Sequence, residues 1–239
     1  VRLLDLRKIE ALHIHIIIPA INEAENLLQL LPYLAEELGS NGKIIVSDGG
    51  SSDGSREICN AMGVDFFESP KKGRGPQMNF AAAEYPNTDV FYFLHADARP
   101  PKGFCDDLRE SIELGFPIGC YRFTFDSPSP LLAINSFFTR FSPLPFRGGD
   151  QSLYVTKNVF KKLDGFNSGM MIMEDYDIIE RARAQFPFRI IPRCVCVSAR
   201  KYQSNNYFRV QWANLTIFRM YRRGASQEAM MTKYKSMLN

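Results

Sequence analysis

Through the first hundred residues, apolar positions fall into short β-branched or aromatic runs, separated by glycine-bearing polar loops and by stretches with helical spacing. Residues 13–18 (HIHIII) form the first run, stopped by Pro19, and predict a buried strand. His13 and His15 alternate with isoleucine and read as strand side chains rather than metal ligands. Leu27, Leu30, Leu31 and Leu34 then share one helical stripe, with Asn22 as the expected N-cap. Residues 43–47 (KIIVS), 64–68 and 90–94 predict three more strands, with helices near Gln77 and over 104–114. Four repeats of strand and helix predict a parallel doubly wound sheet.

Beyond residue 115 the rhythm changes. Residues 119–125 alternate like a strand with one exposed face, 151–155 predict another strand, and 157–163 a short helix. A helix opening at 173–177 (MEDYD) carries Ile178, Ile179 and Ala182 inward and Arg181 and Arg183 outward, and 188–191 and 194–198 read as two further apolar strands. Residues 127–146 are Pro-rich and aromatic, with Phe137, Phe138, Phe141 and Phe146; core packing is the expectation, against a covering flap, an acceptor surface or a membrane-touching patch. A last long helix over 205–223 places Phe208, Trp212, Leu215 and Phe218 on a stripe expected to pack on the domain, and closes at Gly224. Its Arg219, Arg222 and Arg223 suit anionic headgroups if that face is instead free.

The loops carry the candidate chemistry. After the fourth strand, His95-Ala96-Asp97 turns outward and Pro100-Pro101 prevents continuation. A carboxylate at the carboxyl end of a central strand sits where α/β sheets bind ligands, and hard cations want such oxygens together with those of a diphosphate. The second strand ends in 48–54 (DGGSSDG), whose paired glycines permit close approach of a ligand and whose Ser51 or Ser52 is the expected cap of the next helix. The basic loop 70–76 (PKKGRGP) precedes a helix start, a favourable place for an anion.

Composition narrows this little. A chain of 239 residues fits one large α/β domain or two small ones, and a net charge of +3 is too mild to imply nucleic acid. The five cysteines form no CxxC pair; Cys194 and Cys196, on one face of a strand, are expected to be buried free thiols in a reducing compartment. Residues 1–12 are charged and mixed, unlike a signal peptide, and no run of 18 uncharged apolar residues predicts a membrane span. No GxGxxG follows the first strand, which argues against a dinucleotide-binding dehydrogenase.

Six motifs in order, IIIPAINEAENLL (16–28), VSDGGSSDGS (46–55), GRGPQMN (73–79), FLHADARPP (93–101), GGDQ (148–151) and DGF followed by EDYDIIERAR (164–166 and 174–183), resemble family 2 glycosyltransferases over about residues 13–202. The subgroup resembled is one of small, soluble bacterial members with a His-Ala-Asp metal motif. The resemblance implies an α/β, GT-A nucleotide-diphospho-sugar transferase fold: a mostly parallel central sheet flanked by helices, with a smaller antiparallel acceptor-side part. It implies a single domain over 1–239, divided into a nucleotide-sugar-binding half (13–101), an acceptor-side half (102–202) and C-terminal helices (203–239). Pro19, Ala20, Asn22 and Glu23 would line the nucleotide pocket, Asp48 would contact the base with Gly49 and Gly50 beside it, and Arg74 and Gln77 would reach the ribose or diphosphate. Asp97, beside Ala96, would hold Mn²⁺ or Mg²⁺. Gly148 and Gly149 would border donor sugar and acceptor, Arg200 and Lys201 would assist the leaving group, and Asp175, or else Glu174, would be the general base. Two departures stand out: His95 replaces the first carboxylate of the family's Asp-x-Asp motif, with His95 as a helper to the metal, and Gly49 stands where many members carry a second Asp.

The implied activity is inverting, metal-assisted transfer of a hexosyl or related group from a UDP- or GDP-sugar to an acceptor hydroxyl on a lipid or glycan, in the cytoplasm or peripherally at the inner face of the membrane. A non-catalytic nucleotide-sugar or glycan-binding protein on the same scaffold is the main rival. A sugar nucleotidyltransferase is a weaker one, since it would want a Lys/Arg-bearing glycine loop where this chain has PAINEAEN (19–26).

Overall fold

A computed structural model describes residues 12–238; the charged lead-in read over 1–12 lies outside them except for its last residue. The isoleucine run becomes β1 (Ile14–Ala20), buried along its whole length, and it pairs in parallel with β2 (Gly42–Asp48) on one side and β4 (Val90–Phe93) on the other. β3 (Asp65–Glu68) extends the sheet beyond β2. Three helices return the chain: α1 (Ala24–Leu38), α2 (Ser55–Ala61) and α3 (Arg74–Glu84). In α1 the predicted stripe, extended by Leu38, is buried. The predicted caps are not the ones used. Asn22, held at positive φ, accepts from Ser52 N, while Asp53 accepts from Ala24 N at 2.9 Å and so caps α1 from another loop. Gly54, not Ser51 or Ser52, stands at the start of α2, because Ser51 is engaged by Asp48 and Asn22.

The second half joins the same sheet rather than forming its own. The strand order is β3-β2-β1-β4-β7-β6-β8-β5, with β5 Ala98–Arg99, β6 Ile118–Phe125, β7 Leu153–Thr156 and β8 Phe188–Val197. β7 runs antiparallel to both β4 and β6, whereas β6 and β8 are parallel. The expected mixed sheet is therefore present, and the expected pair of strands over 188–198 is one continuous strand. A register shift opposite Tyr121 and Arg122 absorbs the interruption around Pro192.

Around the sheet lie α4 (Phe104–Glu113), α5 (Pro130–Phe138), α6 (Lys157–Lys162), α7 (Glu174–Arg183), α8 (Arg200–Ser204), α9 (Tyr207–Arg222) and α10 (Gln227–Met237). One core cluster joins α1 and α4 to one sheet face, and a second joins α3, α6 and α7 to the other. Asn79 of α3 ties the two halves together: its amide donates to Phe166 O at 2.7 Å and accepts from Phe166 N at 2.9 Å. This explains the Asp-Gly-Phe turn, since a Cβ on Gly165 would lie 2.5 Å from Asn79 Oδ1.

Three burial expectations are corrected. Phe137, Phe138 and Phe141 are exposed rather than packed in the core, because α5 contributes only Leu132 to the interior. On α9 the buried side is Val210, Ala213 and Ile217, so Phe208, Trp212 and Leu215 face solvent and only Phe218 packs partly inward. Cys194 is exposed and Cys196 half-buried, since β8 is covered only by the short β5 on that side, although all five cysteines are free. Arg181 also does not simply point outward: it donates to Leu163 O and Gly165 O and pairs with Asp177.

Candidate active site

Parallel pairing brings the carboxyl ends of β1, β2 and β4 to one edge, with Ala20 beside Asp48 and Leu94 N donating to Ile17 O at 3.0 Å. Gln77 locks that edge. Its Nε2 donates to Ala20 O at 2.9 Å and to Ser47 O at 2.7 Å, while Ser47 Oγ donates to Gln77 O. Above it opens a cleft of about 340 Å³ lined by Pro19, Ala20, Glu23, Arg74, Gln77, Ala96, Asp97 and Arg200, all predicted from the sequence, together with His95, Asp150, Ser198, Lys201 and Tyr202. Its size is that of a small-molecule site.

Charges alternate around the cleft. The Arg200 guanidinium donates to both carboxylate oxygens of Glu23 and approaches Asp97 Oδ2 at 3.3 Å. Burial raises the Asp97 pKa above the ordinary carboxylate value, opposed by the fields of His95 and Arg200. His95 Nδ1 lies 3.7 Å from Asp150 Oδ1. Desolvation of the imidazole opposes its charge, but the facing Asp150 carboxylate outweighs it, so the His95 pKa is raised and that of Asp150 lowered by their mutual attraction. Asp150 itself opens to the cleft, with 62% of its side chain exposed.

Across from this pair, Arg74 Nε meets Glu174 Oε1 at 2.8 Å. Glu174 is only 2% exposed, and burial followed by the neighbouring Asp175 raises its pKa against the pull of Arg74. Asp175, 9% exposed, lines a much smaller recess with His95 and Gly148, behind the main cleft. The loop after β2 lies to one side. The Asp48 carboxylate accepts from Gly50 N and Ser51 N, each at 2.8 Å, and so holds its own turn. Gly49 approaches Gln77 so closely that a Cβ would sit 3.1 Å from its Nε2, and Gly50 has a φ of 101°. Asn22 spans to the same loop through Ser51 and Ser52.

The sequence model of Glycosyl transferase family 2 matches residues 15–160. The chain belongs to Glycosyl transferase family 2. Part of it is 31% identical over 102 residues to the succinoglycan biosynthesis protein ExoA of Rhizobium meliloti (strain 1021), covering 40% of this chain and 31% of ExoA, so the chain spans about a third of that relative. Its fold is similar to the mannosyltransferase PcManGT from Pyrobaculum calidifontis in complex with GDP-Man and Mn²⁺, with a TM-score of 0.65 and 13% identity over 87% of this chain and 62% of that one. It is also similar to glucosyl-3-phosphoglycerate synthase from Mycobacterium tuberculosis in complex with Mn²⁺, UDP and glucosyl-3-phosphoglycerate, with a TM-score of 0.57 and 14% identity over 89% of this chain and 80% of that one. The expected GT-A fold is thereby met.

This family member has a second cavity, of about 350 Å³, lined by Phe125, Phe138, Phe146, Arg147, Gly148, Asp150, Tyr176, Tyr202, Asn214, Leu215 and Phe218 among others. Phe125, Asp150, Tyr202 and Asn214 line both cavities, so the two adjoin. Sequence reasoning used the glycines of GGDQ and passed over Asp150; the signal was the acid inside a motif already recognised. Tyr202 and Asn214 carried no such signal, because only the folding of α8 and α9 over the cleft brings them there. Among the described residues no three His, Cys, Asp or Glu side chains could hold a metal by themselves. A cation beside Asp97 would therefore need oxygens from a ligand as well.

Proposed function

We propose that this glycosyltransferase transfers a sugar, with inversion, from a nucleotide-diphosphate sugar to an acceptor hydroxyl. The observation that carries the reading is the convergence of Asp97, Arg74, Arg200 and Lys201 on one cleft at the carboxyl ends of parallel strands. Asp97 is the residue to hold Mn²⁺ or Mg²⁺ together with the donor diphosphate. A carboxylate made costly by burial is favoured in its charged form by a nearby cation, and Arg200 fills that electrostatic role in the free cleft. The bound cation would offset charge developing on the departing diphosphate. Arg74, Arg200 and Lys201 add fixed positive charge around the same leaving group, and Pro19, Ala20 and Gln77 line the cleft on the strand-end side where a base or ribose would lie. PcManGT with GDP-Man and the synthase with UDP support a nucleotide-sugar donor of one of those classes.

Inversion needs one carboxylate to take the acceptor proton while the leaving group departs from the opposite face. By its place in the family motif that base is Asp175, with Glu174 committed to Arg74. A specific observation favours a second reading: Asp150 lines both cavities, whereas Asp175 lines only the recess behind His95 and Gly148. In that reading His95 orients Asp150.

The test is thermal stabilisation by UDP-, GDP-, CMP- and dTDP-compounds with Mn²⁺ and with EDTA, followed by transfer assays on Asp150→Asn and Asp175→Asn. One nucleotide class is expected to stabilise in a metal-dependent way. The variant of the true base is expected to lose transfer while keeping that stabilisation, and an acceptor-linked product of retained anomeric configuration by NMR would overturn the mechanism. No stabilisation by any compound would overturn the donor assignment.

A further inference from the structure

The helices flanking the second cavity expose an unusual surface. On α5 and just after it, Leu131, Ile134, Phe137, Phe138 and Phe141 are exposed, Phe137 at 46%. On α9 the solvent-facing stripe runs Phe208, Trp212, Leu215, then Arg219 and Arg222, with Phe208 at 69% and Trp212 at 59%. These positions follow the four-and-three spacing of one helix face, about 21 Å long at 1.5 Å per residue. The two helices face each other across one opening. Tyr207 OH donates to Asn135 Oδ1 at 2.8 Å, and Phe138 from α5 and Leu215 and Phe218 from α9 line the same cavity.

We propose that this face rests on an anionic lipid bilayer, and that the cavity between α5 and α9 admits the acceptor as an amphiphile held in that bilayer. The acceptor part of the proposal rests on the glycosyl-transfer reading; the bilayer part does not. Three observations choose a bilayer over a second copy of the chain. First, the exposed positions of the α9 stripe are apolar or basic and none is acidic, as are the apolar positions of α5. Second, the cations sit at the rim of the apolar patch: Arg140, whose guanidinium lies 4.0 Å over the Phe137 ring, and Arg219, Arg222 and Arg223 at the end of α9. The acid on this side is Glu180, bound to Arg222. A second copy would bring no acidic residue on its own α5 or α9 to meet these arginines, whereas an aromatic centre with a cationic rim matches acyl chains under anionic headgroups. Third, the second cavity, aromatic at Phe138, Phe146 and Phe218 and polar at Arg147 and Asn214, reaches from this face to Asp150 beside the main cleft, where a hydroxyl on a lipid-linked acceptor would have to arrive. No described helix is long and apolar enough to cross a membrane.

The test is co-sedimentation of the full chain with vesicles of equal parts phosphatidylcholine and phosphatidylglycerol, and with phosphatidylcholine alone. Binding is expected to the anionic vesicles, to weaken with salt, and to fall about tenfold or more in the double variant Phe208→Ser, Trp212→Ser. The same variant should keep its melting temperature and its nucleotide-dependent stabilisation, which separates failure here from failure of the donor reading. Equal sedimentation with and without vesicles would overturn the proposal, as would a concentration-dependent dimer by light scattering that the same substitutions abolish. Activity toward a water-soluble short-chain acceptor equal to that toward a vesicle-borne one would overturn the acceptor part alone.

Discussion

The strand-end side of the cleft and its helix-lined side differ in what holds their residues in place. On the first side, Pro19, Ala20 and Asp97 are carried by or directly follow strands whose partners are fixed on both flanks, and Gln77 locks two strand ends at once. On the second, Phe138, Tyr202, Asn214 and Leu215 sit on short or half-exposed helices that meet through side-chain contacts such as Tyr207 to Asn135. The first side is polar, charged and pre-shaped for a compact anionic ligand; the second is aromatic and open. The proposed transfer would need that division, because a donor's charge must be met by fixed groups while an acceptor must enter and leave.

Removing the fixed charge should produce the largest effect. Asp97→Ala is expected to lower turnover by several kcal/mol of barrier, about 10²–10³-fold, and to abolish Mn²⁺-dependent stabilisation by nucleotide. Metal-dependent stabilisation that survives the substitution would show that the strand-end side does not act through this carboxylate.

The joint between the sides should be next. Asn79→Ala removes both bonds to Phe166 and leaves that backbone pair partly buried without partners, so a loss of about 1–3 kcal/mol is expected in urea denaturation. Gly165→Ala should cost at least as much, because its Cβ would meet Asn79 Oδ1 at 2.5 Å and its φ is 63°. A neutral result for both would mean that the turn is not held by Asn79.

These two sides were unequally legible. β1 to β4 follow from apolar runs and their stop signals because a parallel sheet buries both faces, leaving a continuous signature. Asp97 and Glu23 lie in loops fixed by that sheet and Arg74 opens the helix that follows one, so motif order alone located them. The exposed phenylalanines read as core because hydrophobicity carries no label for solvent, and α5 turns only Leu132 inward. The α9 stripe was read correctly as a stripe but assigned to the wrong side: Val210, Ala213 and Ile217 form a smaller, less conspicuous apolar face that packs instead. Asp150 stands inside a recognised motif, but its pairing with His95 depends on a distance that no local pattern encodes. The caps failed for a similar reason, since Asp53 reaches Ala24 from 29 residues away.

A smaller effect should come from below the strand-end side. His15 is buried on β1 between the rings of His13 and Tyr85, without a hydrogen-bond partner for either ring nitrogen among the described residues. Burial, then the nearby His13, lowers its pKa from 6.5 to about 4. The unfolded chain therefore binds a proton that the folded chain refuses. Stability from this group is complete above pH 6.5 and falls as pH drops toward 4, by at most about 1.4 kcal/mol per pH unit. Urea titrations at stepped pH should show that slope flatten in His15→Phe. An unchanged slope would place the acid sensitivity elsewhere.

The smallest effect tests the helix-lined side by stability alone. Trp212→Ser removes the bulkiest side chain of the α9 stripe, yet at 59% exposure it has little packing to lose, and the change in unfolding free energy should stay within about 0.5 kcal/mol. Ile217→Ala, five residues along the same helix on its buried face, supplies the contrast at about 2–4 kcal/mol. The pair separates two accounts of the aromatic stripe. If it is held outward for a partner, only the inward residue should matter to the isolated chain, and the denaturant slope should be the same for both variants. If Trp212→Ser costs as much as Ile217→Ala, the stripe is already packed in solution, and the openness that distinguishes this side of the cleft from the other would be lost.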